Sequence, residues 1–353
     1  MIKFLHGADL HLDSPFRSLP PEQAALRRRE QLGLLRDLGD LANDAACDLV
    51  LLSGDLLDSE AARPDTAEAL RRALAACRAP VFIAPGNHDY FAPGSPYAAA
   101  GWPDNVHIFT RETPESVTLQ DLGVRVWGAA FTGPEAPAPG PFQTPDDGLL
   151  DVMVLHGDTG NGPYRPLTTE WIAGTNLDYL ALGHIHSASG LLRAGKTAYA
   201  FPGCPMGRGF DETGPKGVYM GTLSEEGCRL DFHPLPGRRY EILTVEAGDD
   251  PRAAILAALP EGSEENIYRI RLTGPSDPVD PAALEEALRE HTFAVTLRDE
   301  TTPRRDLWAE AGEDSLKGLF LAALAARRTE DPARCDLAAR LGVAALEGWE
   351  DLP

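Results

Sequence analysis

Gly183-His184-Ile185-His186 sets two imidazoles two residues apart, directly after the apolar run Leu180-Ala181-Leu182. Residues i and i+2 of a strand share a face, so a strand ending here delivers both rings to one side. Neutral imidazole is a common ligand of borderline divalent metals. Four further stretches supply partners: Asp9-Leu10-His11, Gly54-Asp55, Gly86-Asn87-His88-Asp89 and His156-Gly157-Asp158, each after a short apolar run. The candidate ligands are Asp9, His11, Asp55, Asn87, His156, His184 and His186. Carboxylate, imidazole and one amide oxygen, without thiolate, suit Mn, Fe or Zn better than a soft-metal or calcium site. Such a set is too large for one ion and matches two that share a bridging carboxylate. Two ions roughly 3.5–4 Å apart clamp a phosphoryl group and activate water as a hydroxide nucleophile.

The elements that must position these loops read as α/β. Ile2–Ala8, Leu49–Leu52, Pro80–Ala84, Val152–Leu155 and Tyr179–Leu182 read as buried strands, each ending at a ligand loop. Pro21 suits the first turn of a helix running to about Ala46, with Leu26, Leu32, Leu35, Leu38, Leu41 and Ala45 at helical spacing. On it Arg27, Arg28 and Arg29 read as a solvated face. A second helix is expected from about Asp65 to Cys77. Short strands are expected over Val106–Phe109, Ser116–Leu119, Val124–Trp127, Leu191–Leu192, Thr197–Phe201, Val218–Met220 and Leu230–Phe232, and a surface loop over Thr132–Asp147.

A boundary falls at Pro234-Leu235-Pro236-Gly237-Arg238-Arg239. Beyond it the pattern is strand (Ile242–Val245), helix (Arg252–Leu259), strand (Tyr268–Leu272), helix (Pro281–His291), strand (Phe293–Leu297). Helices follow over Leu316–Arg327 and Pro332–Leu346; Leu316, Leu319, Phe320 and Leu324 share one side of the first and read as core packing. The expected domains are 1–236, carrying the ligands, 237–301, a small β-α-β-α-β module, and 302–353, a helical C-terminal segment.

The 353 residues suffice for one large domain with small additions. The longest apolar runs fall short of the roughly 20 residues that span a bilayer. Met1-Ile2-Lys3-Phe4-Leu5-His6 enters a strand without a signal-peptide layout, so a cytoplasmic location and no membrane partner are expected. Five scattered cysteines (Cys47, Cys77, Cys204, Cys228, Cys335) argue against a disulfide framework or a zinc knuckle. The net charge of -22 argues against a surface coated for nucleic acid, but a local basic patch or bound cations can still hold phosphate. His6, His107, His233 and His291 lie outside the motifs and read as ordinary packing, with His6 close enough in sequence to support a ligand.

D-x-H, GD, GNHD, H and GHxH, in that order, resemble the calcineurin-like metallophosphoesterases over roughly residues 1–235. The opening His6–Pro15, Phe201-Pro202-Gly203-Cys204-Pro205-Met206-Gly207-Arg208 and Gly214-Pro215-Lys216-Gly217 are similar to the SbcD/YhaO-like DNA repair exonucleases. The resemblance implies a four-layer αββα fold: two central mixed β-sheets flanked by helices, with a small C-terminal α/β capping module and terminal helices. It places Asp9, His11, Asp55 and His186 on one metal, and Asn87, His156, His184 and the bridging Asp55 on the other. His88 would contact the phosphate and protonate the leaving oxygen, with Asp89 holding it in place. Arg208 and Lys216 would be substrate contacts. The implied cofactors are two divalent cations, Mn first, then Fe, Zn or Mg. The implied partners are DNA, an SMC-like ATPase of the SbcC type and a second copy of the chain.

Cys204 and Asp58 depart from residues common in the relatives, and Asp58 bears on metal preference or rate. The implied activity is a dimetal exonuclease acting in DNA repair. The alternatives are a phosphomonoesterase or cyclic-nucleotide phosphodiesterase on the same scaffold, and a non-catalytic protein-binding scaffold, against which stands the presence of the full ligand set.

Overall fold

A computed structural model of the chain describes residues 1–59, 62–303 and 308–347. It divides into two compact units. The first takes in Met1–Ile242 with Glu261–Arg269 and Arg289–Val295; the second takes in Leu243–Pro260, Ile270–Leu288 and the described residues from Thr296 onward.

The first unit begins β1 (Ile2–Gly7), α1 (Pro21–Asp44), β2 (Leu49–Leu52), α2 (Pro64–Ala75), β3 (Val81–Ile83), β4 (Val106–Ile108). It continues β5 (Glu115–Leu119), β6 (Val124–Ala129), β7 (Leu150–His156), α3 (Thr169–Gly174), β8 (Tyr179–Gly183), β9 (Leu192–Ala194), β10 (Thr197–Ala200), β11 (Gly217–Ser224) and β12 (Gly227–Pro234). These strands make two six-stranded sheets, ordered β12-β11-β1-β2-β3-β4 and β5-β6-β7-β8-β10-β9. Both are mixed. β1 to β4 run parallel and meet antiparallel β11, while β6, β7, β8 and β10 run parallel between antiparallel edges.

The period-2 alternation of strand side chains builds the layers. Ile2, Phe4, Leu49, Leu51 and Phe82 face Val124, Val126, Val152, Val154 and Tyr179 of the other sheet in one core. The opposite faces carry Leu5, Val50, Leu52 and Ile83 against Leu34, Leu35 and Leu38 of α1 and Leu70 and Leu74 of α2. On the second sheet Met153, Leu155, Leu180 and Leu182 pack on Ile172 of α3. The unit is thus the expected αββα sandwich. Parallel strands also bring their C-terminal ends to one edge of each sheet, so the loops after β1, β2, β3, β7 and β8 gather there.

The second unit holds parts of β13 (Tyr240–Glu246), β14 (Ile267–Thr273) and β16 (Ala294–Asp299), which form a three-stranded sheet, and the pair β15 (Pro275–Ser276) and β17 (Thr302–Pro303). Its helices are α4 (Pro251–Ala258), α5 (Pro281–Leu288), α6 (Leu316–Ala325) and α7 (Pro332–Glu347). α4 starts as its sequence dictates: the Asp250 side chain caps Ala253 N–H at 3.0 Å, and Pro251 occupies the first turn. The C-terminal segment expected over 302–353 includes 304–307 and 348–353, which lie outside the described residues. No helix among the described residues is long and apolar enough to cross a membrane.

Two expectations about helix faces are corrected. Arg27 is not on a solvated face but fully buried, its guanidinium on Glu30 at 2.7 Å and the Gly207 carbonyl at 3.0 Å. The buried stripe of α1 runs Ala24, Arg27, Gln31, Leu34, Leu35, Leu38, Gly39, Ala42; it keeps Leu35 and Leu38 of the leucine pattern but leaves Leu32 40% exposed. Leu316 and Leu319 are likewise exposed, at 73% and 63%. The buried stripe of α6 passes through Gly318 and Leu321, with Phe320 and Leu324 half-buried against Ala339 and Val343 of α7. A helix apolar nearly all round does not reveal its buried side by period alone.

Candidate metal centre

The loops after β1 and β2 lie side by side, joined by Asp9 N–H to Gly54 O at 3.0 Å, His11 N–H to Asp55 O at 2.9 Å and Leu12 N–H to Leu56 O at 2.9 Å. Asp9, His11, Asp55 and His184 all have positive φ, 55°, 44°, 50° and 106°. Non-glycine residues in this region cost about 1–3 kcal/mol each, and such strain gathers where a site over-determines the backbone. Glycine is needed where neighbours leave no room. A Cβ at Gly86 would fall on the Asp55 carboxylate, and one at Gly183 on the Ser53 carbonyl. Gly86→Ala therefore displaces Asp55, and a shift of about 1 Å in such a group costs on the order of 10²-fold in turnover. Steady-state kinetics of the variant at the parent's rate would show that Asp55 has freedom the packing denies it.

The structure brings the proposed ligands together. His11 Nε2 stands 3.3 Å from His186 Nε2 and 3.7 Å from Asp55 Oδ2. Asp9 Oδ1 is 3.9 Å from His186 Nε2. On the other side His156 Nε2 is 3.4 Å from the same Asp55 Oδ2 and 3.0 Å from Asn87 Oδ1, which is 3.3 Å from His184 Nδ1. Asp55 Oδ2 thus lies between an Asp9/His11/His186 group and a His156/Asn87/His184 group. Asp9 also reaches the second side, within ligand range of Asp55 and His156, and its carboxylate accepts His184 N–H at 3.1 Å.

The imidazoles are aimed from behind. His11 Nδ1 is held by Asp58 Oδ1 (3.2 Å), His186 Nδ1 by Glu212 Oε1 (2.7 Å) and His156 Nδ1 by Ser53 O (2.9 Å). Arg208 also approaches His186 Nδ1, at 3.1 Å, but the shorter, charge-assisted contact to Glu212 directs that proton outward. The Nε2 atoms of His11 and His186 face one another at 3.3 Å. Beside them lie the carboxylates of Asp9 and Asp55, each 1% exposed. Facing ring nitrogens beside buried carboxylates make a donor set that fits divalent metals.

The electrostatics agree. Burial, then the Asp55 charge, pushes Asp9 well above the ordinary carboxylate range. Burial would raise Asp55 too, but His156 and His11 outweigh it and hold it low. Burial lowers His11, His184 and His156, the last to about 4, and so keeps the imidazoles in the neutral, ligating form.

His88 stands exposed at the rim, its N–H on Asp55 Oδ1 at 2.9 Å and its ring edge-on to His11 at 4.8 Å. Asp89 does not turn to the His88 ring as expected. Its buried carboxylate accepts N–H bonds from Gly86 (2.8 Å), Asp55 (3.1 Å), Leu56 (2.7 Å) and Leu57 (3.1 Å), and the Tyr97 hydroxyl at 2.5 Å. It ties the GD loop to the GNHD loop, and burial with the nearby Asp55 charge raises it to about 6. A short acidic side chain among bare loop amides satisfies donors that no strand or helix pairs.

Of the two expected substrate contacts, Arg208 is engaged by Glu212 and Asp58, and Lys216 donates to the His186 carbonyl at 3.2 Å. Sequence reasoning passed over Glu212, although it lies four residues after Arg208 in the Gly-rich loop, a usable charge-pair signal. It also missed Arg165, fully buried, whose guanidinium bonds the carbonyls of Ala130 (2.6 Å) and His156 (3.2 Å). His6, read as packing, bonds Tyr179 at 2.8 Å and Ser53 Oγ at 3.2 Å, one step behind His156. An open cleft of about 500 Å³ runs past the cluster, lined by Asp58, Asn87, His88, Tyr90, Pro134 and Tyr164.

The model of the calcineurin-like phosphoesterase family matches residues 2–188. The chain is 31% identical over 290 residues, 77% of its length and 69% of the relative's, to the Bacillus subtilis (strain 168) protein called uncharacterized metallophosphoesterase YhaO. A solved structure of a novel archaeal phosphodiesterase covers 66% of this chain and 100% of its own, at TM-score 0.36 and 14% identity. The family model spans every ligand loop after β1, β2, β3, β7 and β8, so the match and the geometry concern the same residues. This chain belongs to the calcineurin-like phosphoesterases and is a metal-dependent hydrolase of phosphoric esters.

Proposed function

We propose that the chain is a dimetal-dependent DNA nuclease, an exonuclease acting in DNA repair, with Mn as its preferred cation. The observation that carries this reading is the open cleft beside the ligand cluster, with His88 exposed in its wall. A phosphodiester inside a polymer needs space on both sides of the phosphorus, which an enclosed monoester pocket denies it. The resemblance of the loop from Phe201 to Gly217 to SbcD-type nucleases supports the same substrate.

In this reading Asp9, His11, His186 and Asp55 hold one cation, and Asn87, His156, His184 and Asp55 the other. Bound there, the pair would lower the pKa of water and neutralise charge on the phosphoryl oxygens. Asp55 fixes the spacing of the halves. His88, with its backbone held by Asp55, gives a proton to the leaving 3′ or 5′ oxygen. Tyr90 and Tyr164 offer flat faces for bases beside the cleaved bond. An SMC-like ATPase would be the natural partner for loading DNA ends.

The test is digestion of end-labelled duplex and single-stranded DNA by the purified chain in Mn, Mg, Fe or Zn. Manganese-stimulated shortening from the ends supports the reading. Hydrolysis of small phosphate esters with DNA intact under every metal would replace it with a small-ester phosphatase or phosphodiesterase.

A further inference from the structure

Three charged side chains brace one half of the ligand cluster from behind. Asp58 Oδ1 is 3.2 Å from His11 Nδ1 and 3.3 Å from the Arg208 guanidinium. Arg208 turns its other face to Glu212, at 3.3 Å and 2.7 Å, and Glu212 Oε1 lies 2.7 Å from His186 Nδ1. With His11 and His186 3.3 Å apart at their Nε2 atoms, the five side chains close a ring. The Glu212 side chain is 4% exposed, and its second oxygen also accepts Arg208 N–H at 2.7 Å. The carboxylate is therefore fixed in place and shielded from substrate.

Among the described residues, the imidazoles of the other half have no such backing. His156 leans on a neutral carbonyl, Ser53 O at 2.9 Å, and His184 turns Nδ1 itself towards Asn87 Oδ1 at 3.3 Å. A carboxylate behind an imidazole fixes its tautomer and orientation and makes it a stronger donor to a metal. Two carboxylates against one guanidinium also leave the brace with net negative charge beside a cation site.

We propose, given the dimetal reading above, that the Asp58–Arg208–Glu212 brace makes the His11/His186 half the tighter cation site, with Glu212 the positioning residue that sets the difference. The pair of sites then loads in order, the braced half first. Arg208 is the wrong residue to test, because its own positive charge opposes a cation while its hydrogen bonds favour one. Glu212 acts in one direction only.

The experiment is calorimetric titration of the metal-free protein with Mn. The parent is expected to bind two ions with distinct affinities. Glu212→Gln keeps an acceptor oxygen but loses the charge; it should weaken the tighter class by about 10–100-fold and leave the weaker class unchanged. Glu212→Ala, which also loses the acceptor, should weaken it further; should that variant fail to fold, judged by thermal unfolding of the metal-free form, the glutamine variant decides. Equal weakening of both classes, loss confined to the weaker class, or no change in either would overturn the proposal. So would a parent with two ions of equal affinity, which leaves the dimetal reading intact. A parent that binds fewer than two ions overturns that reading and this proposal with it.

Discussion

Asp55→Asn should lower turnover by about 10³-fold or more, because one side chain serves both halves of the centre. Its Oδ2 lies 3.7 Å from His11 Nε2 and 3.4 Å from His156 Nε2, and its Oδ1 receives the His88 N–H at 2.9 Å. Asparagine keeps the shape and an acceptor but removes the negative charge between the halves. Bound Mn, measured by elemental analysis after dialysis, should fall from two ions towards none. Asp9→Asn makes a useful contrast: Asp9 Oδ1 lies 3.9 Å from His186 Nε2 but is not the group between the two halves, so its loss should cost the braced half more than the other. An Asp55→Asn protein that kept two ions and a rate within tenfold of the parent would show that the carboxylate does not bridge.

His88→Ala should behave differently. A positioned general acid contributes typically about 10²–10⁴-fold, so turnover falls by that order while both Mn ions stay bound. The seven proposed ligands are untouched, and the backbone N–H of residue 88 that supports Asp55 remains. The loss should shrink for a p-nitrophenyl phosphodiester, whose leaving oxygen departs without a proton, and stay large for an alkyl leaving group. Kinetics on the two esters make the comparison. An equal loss on both would mean that His88 binds the phosphate and transfers no proton.

Much of the centre was legible because its residues follow parallel strands. A strand end delivers the next loop to a known edge, so motif order translates into proximity without knowledge of the side-chain paths. Asp9, His11, Asp55, Asn87, His156, His184 and His186 meet for this reason. Although both follow β8 directly, the rings of His184 and His186 turn apart. His186 Nε2 faces His11 at 3.3 Å, whereas His184 Nδ1 faces Asn87 Oδ1 at 3.3 Å. Positive φ at His184 turns the chain between the two rings, and that turn is invisible in residue order.

What lay behind the ligands was harder to read. Glu212, Ser53 and Arg165 act through distance in space rather than spacing in sequence. Ser53 contributes only its carbonyl to His156, which any residue could supply. Asp89 belongs to a motif, yet its carboxylate satisfies backbone N–H groups of two loops, a task that follows from tertiary closure. Arg27 misled for another reason: an arginine in a basic run on a helix suggests solvent, and only its place between Ala24 and Gln31 on the buried stripe corrects it. The layered fold, by contrast, follows from alternation of strand side chains, which is local.

The most direct measurement is anomalous diffraction from crystals grown with Mn, with data collected at the manganese edge. Two peaks about 3.5–4 Å apart are expected. One should lie among Asp9, His11 and His186, the other among Asn87, His156 and His184, with Asp55 between them. A single peak, or peaks away from these side chains, would contradict a two-cation phosphoesterase centre.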